Sequence, residues 1–329
     1  MTAKRVLGRS GIEVSAIGMG CWAIGGPFFG AGGEPYGWGE VDDDESVRTV
    51  HRALDLGVTF FDTASNYGAG HSERVLGRAL AGRRDQVVIA SKWGHVFDES
   101  RRLAVGADGS VDYLVRCLDG VLDRLGTDYL DLYQLHLNDL PLAEALAMVE
   151  TLDELVAAGK IRAYGWSTDD PGKAAAFAKA GVHCAAIQHD QSVLNDNADM
   201  ITVCEAQELA SLARGPLAMG LLTGKYHGRT TALADDDVRT LSPDWLPWFD
   251  KGVATPQWVR RVDELRAALT ADGRTLAQGA LGWLLARSPA IVSIPGARTP
   301  DQAAENFATL EKGPLPADAL AAIERIVNA

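Results

Sequence analysis

Short apolar runs alternate with amphipathic segments along most of the chain. The apolar runs are predicted as strands at 17–20, 58–61, 87–90, 129–135, 161–166, 185–188, 209–212 and 291–294. The intervening segments are predicted as helices at 45–56, 72–80, 142–158, 173–179, 198–206, 257–269 and 276–286, with one more between Ser110 and Gly126. Strands that alternate with helices in this way are typical of a parallel sheet with crossover helices, so the pattern predicts an α/β fold.

Helix ends are visible at several places. The third helix is expected to begin after Ser110, because a serine hydroxyl caps the free N–H groups of a helix N-terminus, and its apolar face includes Leu114 and Leu118. It is expected to end at Gly126, and the first helix at Gly57, because glycine readily adopts the left-handed conformation that closes a helix.

Two segments fall outside the alternation. Residues 4–18 contain two short extended pieces around Ser10 and Gly11, which predicts a β-hairpin ahead of the first strand. Residues 229–252 are irregular and mix prolines and tryptophans with a run of three aspartates, which we expect to be solvated. A loop of this length in a compact domain is typical of a lid or a binding loop.

Eight strand–helix units fill the chain, and no linker separates them. We therefore interpret residues 1–329 as a single domain with an α/β fold, a (β/α)₈ TIM barrel preceded by an N-terminal β-hairpin. The length of 329 residues accommodates a barrel of roughly 250 residues with insertions. Periodicity alone fits a doubly wound sheet of the same units nearly as well, so that alternative stays open at this point.

Composition narrows the class of partners. The formal net charge is −13 and no basic stripe offsets it, which argues against a nucleic-acid partner. No apolar run of about 18 residues exists, and the basic start leads into no apolar segment, so neither a membrane span nor a secretory signal is predicted. The four cysteines are widely spaced, which predicts reduced thiols in the cytoplasm and no metal site.

The segment from Gly18 to Ala23 matches the G-x-G-x-x-A outline of a dinucleotide-binding fingerprint, with Asp42 about twenty residues further on. That fingerprint requires a helix to begin at the second glycine, because the first N–H groups of the helix bind the pyrophosphate. Here the chain continues through the glycine-rich residues 24–39, which cannot form a helix. We therefore reject the fingerprint and assign the segment to a loop at the C-terminal end of the first strand, which is the active-site face of a barrel.

Four polar residues stand at or just after the C-terminal ends of successive predicted strands. Asp62 ends the second strand and Tyr67 follows in its loop, while Lys92 ends the third strand and His136 the fourth. In a barrel these strand ends converge on one cavity. Each residue alone has an ordinary explanation as a cap, a packing contact or a salt bridge, but the four together predict a catalytic site.

These residue types suit the reduction of a carbonyl group by hydride, because the carbonyl oxygen needs a proton as negative charge develops on it. A free tyrosine titrates near pH ~10, and an adjacent ammonium such as that of Lys92 lowers this pKa. Asp62 can keep the lysine charged and oriented, and His136 can hydrogen-bond the substrate oxygen. The sequence therefore predicts Tyr67 as a general acid and base.

Longer motifs give the chain a resemblance to the aldo-keto reductase family over essentially its whole length. They are FFDTASNYGAGHSERVLGRAL at 60–80, SKWG at 91–94, LYQLH at 132–136, YGWSTDD at 164–170, LLTGKY at 221–226 and IPGARTPDQAAEN at 294–306. The resemblance implies a cytoplasmic barrel oxidoreductase that binds NADP(H) in extended form without a Rossmann domain. It also implies hydride transfer between NADP(H) and an aldehyde, ketone or sugar-type carbonyl or alcohol, with Tyr67 supported by Asp62, Lys92 and His136.

The resemblance further implies which residues bind the cofactor. Those near the reacting ring are Gly20, Trp22 and Asp62, with Ser167 and Gln188 on the carboxamide. The segment over the pyrophosphate contributes Pro216, Leu217, Gly220, Leu222, Gly224 and Lys225, and the adenosine end is held by Gly296, Arg298, Gln302, Glu305 and Asn306. Arg298 is the cation expected at the 2′-phosphate, which a guanidinium grips with two hydrogen bonds, and this favours NADP(H) without excluding NAD(H).

The chain departs from the family pattern at two positions. Many members stack an aromatic residue on the nicotinamide immediately after strand seven, where this chain has Arg214, whose planar guanidinium is expected either on the ring or toward the phosphates. Some members have a lysine two positions before Arg298, and here that position is Gly296. Phosphate binding is then expected to depend more strongly on Arg298.

Two other functions remain open. The first is an NADPH-binding regulatory or interaction protein, which would share the barrel but have negligible turnover. The second is an aldolase that forms a Schiff base through Lys92, although Tyr67 and Asp62 would then lack an obvious purpose. The sequence predicts a small-molecule partner, neither nucleic acid nor membrane, and it does not indicate an oligomeric state or a particular substrate.

Overall fold

The structure is a computed structural model that describes residues 3–228 and 232–327. Its strands are β1 (Lys4–Val6), β2 (Glu13–Ser15), β3 (Met19–Gly20), β4 (Phe60–Asp62), β5 (Val88–Trp93), β6 (His95–Asp98), β7 (Leu103–Ala107), β8 (Leu130–Leu135), β9 (Ile161–Ser167), β10 (Cys184–Asp190), β11 (Ala210–Arg214), β12 (Phe249–Asp250), β13 (Val253–Ala254) and β14 (Ile291–Ser293). Its helices are α1 (Asp43–Asp55), α2 (His71–Leu80), α3 (Val111–Leu125), α4 (Leu142–Ala147), α5 (Val149–Ala157), α6 (Pro171–Ala180), α7 (Ala198–Ala206), α8 (Pro256–Leu269), α9 (Leu276–Arg287), α10 (Pro300–Phe307), α11 (Thr309–Lys312) and α12 (Ala317–Val327).

Eight parallel strands form one sheet in the order β14-β11-β10-β9-β8-β5-β4-β3. Strands consecutive in this sheet are joined by helical crossovers, as the alternation predicts. Two isolated parallel bridges, Ile17 with Ser293 and Gly20 with Gly296, connect the first of these strands to the last. This connection between the two edges agrees with the predicted (β/α)₈ arrangement and not with an open, doubly wound sheet.

The predicted N-terminal hairpin is confirmed. Strands β1 and β2 pair antiparallel, with Arg5 opposite Val14, and Gly11 takes the left-handed conformation at φ 69° in the connection. Leu7, Ile12 and Val14 pack in one buried set with strand residues such as Phe60. The hairpin therefore covers the apolar inner face of the sheet at the end remote from the predicted site.

Buried apolar residues form two sets because successive strand residues point to opposite faces. One set joins the hairpin to inward strand residues, for example Val88 and Ala90 of β5. The other joins outward residues, such as Ile89, to the helices. The next inward residue of β5 is Lys92, so the inner face changes from apolar to polar toward the C-terminal strand ends.

The helix caps follow the sequence. Ser110 accepts a hydrogen bond from the Tyr113 N–H at 3.1 Å, and α3 ends at Gly126 with φ 66°. The N–H groups of Gly57 and Val58 return to the carbonyls of Leu54 and Ala53, which closes α1 as a Schellman motif.

Three segments differ from the pattern. The helix predicted at 142–158 is interrupted at Met148, which separates α4 from α5. Strands β6 and β7 form an antiparallel hairpin after β5 that the pattern did not indicate. The irregular segment at 229–252 contains a 3₁₀ turn at Val238–Thr240 and the strand β12, which pairs with β13, while its residues 229–231 lie outside the described part. Its aspartate run was expected to be solvated, but this is wrong for Asp237, which is buried and paired with Arg239.

Across the described ranges, no helix is long and apolar enough to cross a membrane. Within the same ranges, no cluster of three or more histidine, cysteine, aspartate or glutamate side chains has the arrangement of a metal site. All four cysteines are buried and unpaired as thiols.

Candidate active site

The four polar residues predicted to be catalytic meet at one end of the sheet. Asp62 is the last residue of β4, Lys92 is the penultimate residue of β5, and His136 directly follows β8. Pairing of β4 with β5 and of β5 with β8 places these strand ends side by side. Tyr67 reaches the same place from the loop after β4.

Lys92 lies at the centre of the cluster and is fully buried. Its Nζ donates to Asp62 Oδ1 at 2.5 Å and to the Thr63 carbonyl at 2.8 Å, and it lies 3.4 Å from the Tyr67 hydroxyl. All three contacts are made by one ammonium group, so Asp62 and the Thr63 carbonyl fix the cation against the phenol.

The second carboxylate oxygen of Asp62 accepts hydrogen bonds from two side-chain amides. Gln134 Nε2 donates to Asp62 Oδ2 at 3.0 Å and Gln188 Nε2 donates at 2.9 Å. Gln188 is a predicted cofactor residue, whereas Gln134 was not predicted. Gln134 could have been identified from its position two residues before His136, because residues two apart along a strand point to the same face.

Tyr67 is positioned by a close contact between two loops. Gly68 has φ +60°, and a Cβ there would lie 1.8 Å from the Gly25 carbonyl oxygen, so only glycine fits. On the ring side, the indole of Trp22 stacks on Tyr67 with centroids 5.8 Å apart and planes inclined by 23°. The phenol is therefore held between the loops that follow β3 and β4.

The protonation states follow from burial and from the neighbouring charges. Burial raises the pKa of Tyr67, and the charge of Lys92 offsets only part of this increase. Burial alone would lower the pKa of Lys92, but Asp62 and Tyr67 beside it raise its pKa overall. Both groups therefore carry their protons at neutral pH. The sequence predicted that the lysine lowers the pKa of Tyr67, but it did not predict the larger increase of this pKa by burial.

His136 is neutral in this environment. Burial lowers the pKa of His136 well below its usual range, with further lowering by His95, Lys92 and Arg214. Its ring lies edge-to-face with Tyr67 at a centroid distance of 5.8 Å and with His95 at 5.0 Å. His95 begins β6 and packs directly beside the predicted catalytic histidine.

Two pairs of predicted cofactor residues are brought together. Gly20 and Gly296 form one of the bridges between the first and last strands, and the Gly20 N–H donates to the Pro295 carbonyl at 3.1 Å. Ser167 and Gln188 are register partners on β9 and β10, and Gln188 bonds to Asp62. The pair assigned to the carboxamide therefore reaches the cluster through Gln188.

The segment after β11 makes a tight turn. Ala218, Met219 and Gly220 have consecutive positive φ values of 47°, 54° and 92°. The Ala218 and Gly220 N–H groups donate to the carbonyls of Gly215 and Leu217 at 2.8 Å and 2.9 Å, so these two donors are used within the turn. A Cβ on Gly220 would lie 3.6 Å from Lys225 Nζ, so the predicted lysine reaches this turn.

The remaining members of this segment play different parts. Pro216 and Gly224 shape the turn, and Gly224 takes φ +77°. Leu217 and Leu222 have buried side chains that belong to the core between sheet and helices. Any contact they make with a dinucleotide is therefore through the backbone.

The segment predicted to hold the adenosine end leads into α10. The Arg298 N–H donates to Gln302 Oε1 at 2.9 Å, and Asn306 Nδ2 donates to the Gly296 carbonyl at 3.2 Å. Glu305 is partly buried, and its carbonyl accepts from Gln278 Nε2 at 3.1 Å. Arg298 therefore stands two residues before the N-terminus of α10, and a cation near a helix N-terminus suits a phosphate group.

Arg214 forms an ion pair with Asp169, and its Nη1 lies 4.0 Å from Asp190 Oδ1. Asp169 follows β9 and was not predicted as a site residue. Because Arg214 is the last residue of β11, its charge reaches the cluster and contributes to the lowered pKa of His136. The guanidinium is thus fixed by carboxylates at the edge of the site.

This arrangement can protonate a developing alkoxide. A protonated phenol lies beside a buried ammonium that stabilises its conjugate base, and a neutral imidazole is available to hydrogen-bond the same oxygen. Three residues predicted to bind the cofactor, Gly20, Trp22 and Gln188, lie directly beside this group.

Comparison with known proteins identifies the family to which the chain is similar. The family model described as "Aldo/keto reductase family" matches residues 16–328. The chain is 34% identical over 303 residues to the aldo-keto reductase YhdN of Bacillus subtilis (89% of this chain and 84% of that protein). It is also 30% identical over 343 residues to the NADH-specific methylglyoxal reductase of Escherichia coli (96% of each).

Solved structures agree with these matches. The glycerol dehydrogenase AKR11B4 from Gluconobacter oxydans superposes with a TM-score of 0.79 at 30% identity (96% of this chain, 92% of that chain). An aldo-keto reductase from Klebsiella pneumoniae in complex with NADPH superposes with a TM-score of 0.70 at 28% identity (99% and 95%). The chain therefore belongs to the aldo/keto reductase family.

Proposed function

We propose that the protein is an NADP(H)-dependent oxidoreductase that interconverts a small aldehyde, ketone or sugar-type carbonyl and the corresponding alcohol. The observation that carries the proposal is the group formed by Asp62, Lys92 and Tyr67, in which one buried ammonium contacts both the carboxylate and the phenol. The family membership supports the cofactor class.

Each side chain has a role in carbonyl reduction. When bound, a reduced nicotinamide supplies hydride to the carbonyl carbon. Tyr67 gives its hydroxyl proton to the carbonyl oxygen, and Lys92 stabilises the phenolate that remains. His136 donates an imidazole N–H to the same oxygen, because a neutral ring keeps one N–H. Asp62 keeps Lys92 charged and oriented, and in the oxidation direction Tyr67 takes the proton back.

For the cofactor we propose NADP(H) in preference to NAD(H). Arg298 stands two residues before α10 and would grip a 2′-phosphate. A Klebsiella pneumoniae relative is described in complex with NADPH, and the Escherichia coli relative is described as NADH-specific. Both cofactors therefore belong in the test.

The proposed substrate class follows from the side chains that surround Tyr67. Trp22 and Trp38 lie edge-to-face at 5.4 Å, and Trp22 covers Tyr67, so aromatic surfaces flank the proton donor. His136 and His95 add polar edges on the other side. A small carbonyl compound with further oxygen atoms would match both surfaces, and relatives are named for methylglyoxal and glycerol.

The test follows NADPH absorbance with a panel of small aldehydes and ketones. Wild type is expected to turn over at least one of them in steady state. Tyr67→Phe is expected to lose at least about 1,000-fold in kcat, because no proton donor remains at the oxygen, while calorimetry shows NADPH binding within a few-fold of wild type. Full activity of the phenylalanine variant would refute the proton-donor role. Tight NADPH binding by wild type without steady-state turnover would instead support a regulatory protein.

We also infer that residues 1–329 form one domain. The family match spans residues 16–328, and the N-terminal hairpin packs into the same buried set as the strands. A single cooperative thermal transition is expected by calorimetry. Two separable transitions, or a stable proteolytic fragment, would contradict the inference.

A further inference from the structure

Three peripheral segments meet over the strand ends and are bonded into one layer, which we call the canopy. They are the loop 27–40 after β3, the hairpin 95–107 formed by β6 and β7, and the described part of the insertion, 232–254. None of the three was predicted to contact another, because the contacts are made largely by backbone groups that leave no pattern in the sequence.

The loop 27–40 joins the hairpin through its backbone. The Phe29 N–H donates to the Arg102 carbonyl at 3.0 Å, and the Phe29 carbonyl accepts from the Ala104 N–H at 2.7 Å. These two bonds extend the edge of β7 by one residue of the loop. The loop and the hairpin therefore move as one unit unless both bonds break.

The same loop joins the insertion at its other end. The Val238 N–H donates to the Gly37 carbonyl at 2.8 Å, and Trp38 forms an antiparallel bridge with Asp237. Arg239 forms a buried ion pair with Asp237, and its guanidinium lies over the Trp38 ring at 4.7 Å. Trp38 is thus held from the insertion side by both its backbone and its ring.

Arg298 connects this layer to the start of α10. Its Nη1 donates to the Trp38 carbonyl at 2.9 Å and its Nη2 donates to the Glu40 carbonyl at 2.6 Å. The arginine expected at the cofactor 2′-phosphate is therefore also bonded to the substrate-side loop. A guanidinium has five N–H groups in a rigid plane, so two bonds to carbonyls leave others for an anion.

The loop continues this connection to the proton donor. Trp22 Nε1 donates to the Tyr36 carbonyl at 3.2 Å, and the Trp22 ring packs against both Trp38 and Tyr67. The contacts from Arg298 through the loop to the indole beside the phenol are continuous. A change in the order of the loop is therefore expected to change the position of Trp22 beside Tyr67.

We propose that Arg298 links the cofactor 2′-phosphate to the loop 27–40, so that a dinucleotide carrying this phosphate orders the substrate side of the mouth and one lacking it does not. The proposal rests on the proposed NADP(H) function. A phosphate held by the remaining N–H groups immobilises the guanidinium, which lowers the entropic cost of its two bonds to the Trp38 and Glu40 carbonyls. Cofactor choice is then also expressed in the affinity for the carbonyl substrate.

The test is hydrogen–deuterium exchange by mass spectrometry on the full chain, free and saturated with NADP⁺ or NAD⁺. Peptides that cover residues 27–40 are expected to exchange roughly 5-fold more slowly with NADP⁺ than with NAD⁺. Peptides at the barrel floor, such as those covering β1 and β2, are expected to show no difference. In parallel, the KM for the best aldehyde is expected to be several-fold lower with NADPH than with NADH.

Three variants separate the connection from phosphate binding itself. Arg298→Lys keeps a cation for the phosphate but cannot span two carbonyls as well, so NADP⁺ affinity is expected to stay within about 10-fold while the difference in exchange disappears. Arg298→Met is expected to lose both. Arg83→Met, an exposed arginine in the turn before β5 at the opposite end of the sheet, is the matched control and is expected to behave as wild type. Circular dichroism verifies folding of each variant.

The outcomes are distinct. Equal protection of 27–40 by saturating NADP⁺ and NAD⁺ in wild type, or a preserved difference in Arg298→Lys, overturns the connection while leaving the proposed function intact. Failure of wild type to bind either dinucleotide overturns both. If NAD⁺ binds too weakly to saturate, wild type and Arg298→Lys are compared at saturating NADP⁺, and faster exchange of the loop in the variant is the result that supports the proposal.

Discussion

The inner face of the sheet and the canopy surround the same proposed substrate position but are built differently. Asp62, Lys92, Gln134 and Gln188 lie on strands, are at most 2% exposed, and bond to each other. The canopy is built from loops and a hairpin, and it is held by backbone bonds and by the side chains of Arg239 and Arg298. The charged and amide groups beside the proposed proton donor are thus placed on strands, and the surface that would contact variable parts of a substrate is placed on loops and a hairpin.

The strongest test of the inner face is removal of its cation. Lys92→Met leaves Asp62 buried with amides but without a counter-ion, and breaking a buried pair in this way costs about 3–5 kcal/mol of unfolding free energy. Turnover is expected to fall at least about 1,000-fold, because the phenolate loses its stabilising charge. Urea unfolding and steady-state kinetics measure the two effects.

A matched lysine provides the control for this loss. Lys4 pairs with Glu13 on the N-terminal hairpin, where both side chains are more than half exposed. Lys4→Met is expected to change stability by less than about 1 kcal/mol and to leave turnover unchanged. Comparable losses in the two variants would show that Lys92 has no special role in the site.

The contact between the Tyr67 loop and the loop after β3, which lies between the two regions, is tested at Gly68. Gly68→Ala places a Cβ 1.8 Å from the Gly25 carbonyl oxygen at a backbone with φ +60°, so the loop must move. A displacement of about 1 Å at Tyr67 is expected to lower kcat/KM roughly 100-fold. NADPH binding, measured by calorimetry, is expected to change much less.

Gly11 is the matched control for this substitution. It has a similar backbone, with φ +69°, but a Cβ there meets nothing within 4 Å. Gly11→Ala therefore carries the same conformational cost, about 1 kcal/mol, without a collision, and its kinetics are expected to be those of wild type. Equal activity of the two alanine variants would mean that the loop contact does not position Tyr67.

The difference between strands and loops also explains which features the sequence predicted and which it did not. Strand and helix periodicity located all eight parallel strands, and the convergence of strand ends brought Asp62, Lys92 and His136 together. The roles of β6 and β7, of His95 and of Asp169 were not predicted, because their positions depend on loop conformations and on backbone pairing that side-chain patterns do not encode. The net direction of the Tyr67 pKa also required the structure, since burial outweighs the lysine.

Gln134 is the subject of the prediction with the smallest expected effect. It lies on the inner face of the sheet, and the sequence analysis did not predict it as a site residue. It supplies one of the two amides on Asp62 Oδ2 and is a positioning residue, acting through Asp62 and Lys92. Gln134→Leu removes the donor at similar volume and is expected to lower kcat about 10-fold with little change in KM. Since burial keeps His136 neutral and Tyr67 protonated, this loss is expected to be the same from about pH 6 to pH 8.

The Gln134→Glu variant is expected to have an activity that depends on pH. Two carboxyl groups then share the site, so the pair binds a proton with an apparent pKa above the usual glutamate value of ~4.3. Only the protonated Glu side chain can donate to Asp62 Oδ2, so the active form carries the proton. Activity is therefore expected to rise toward wild type as pH falls and to be lost as pH rises through that apparent pKa. A purely structural role for Gln134 predicts instead a loss that does not depend on pH, and a pH–rate profile of kcat distinguishes the two.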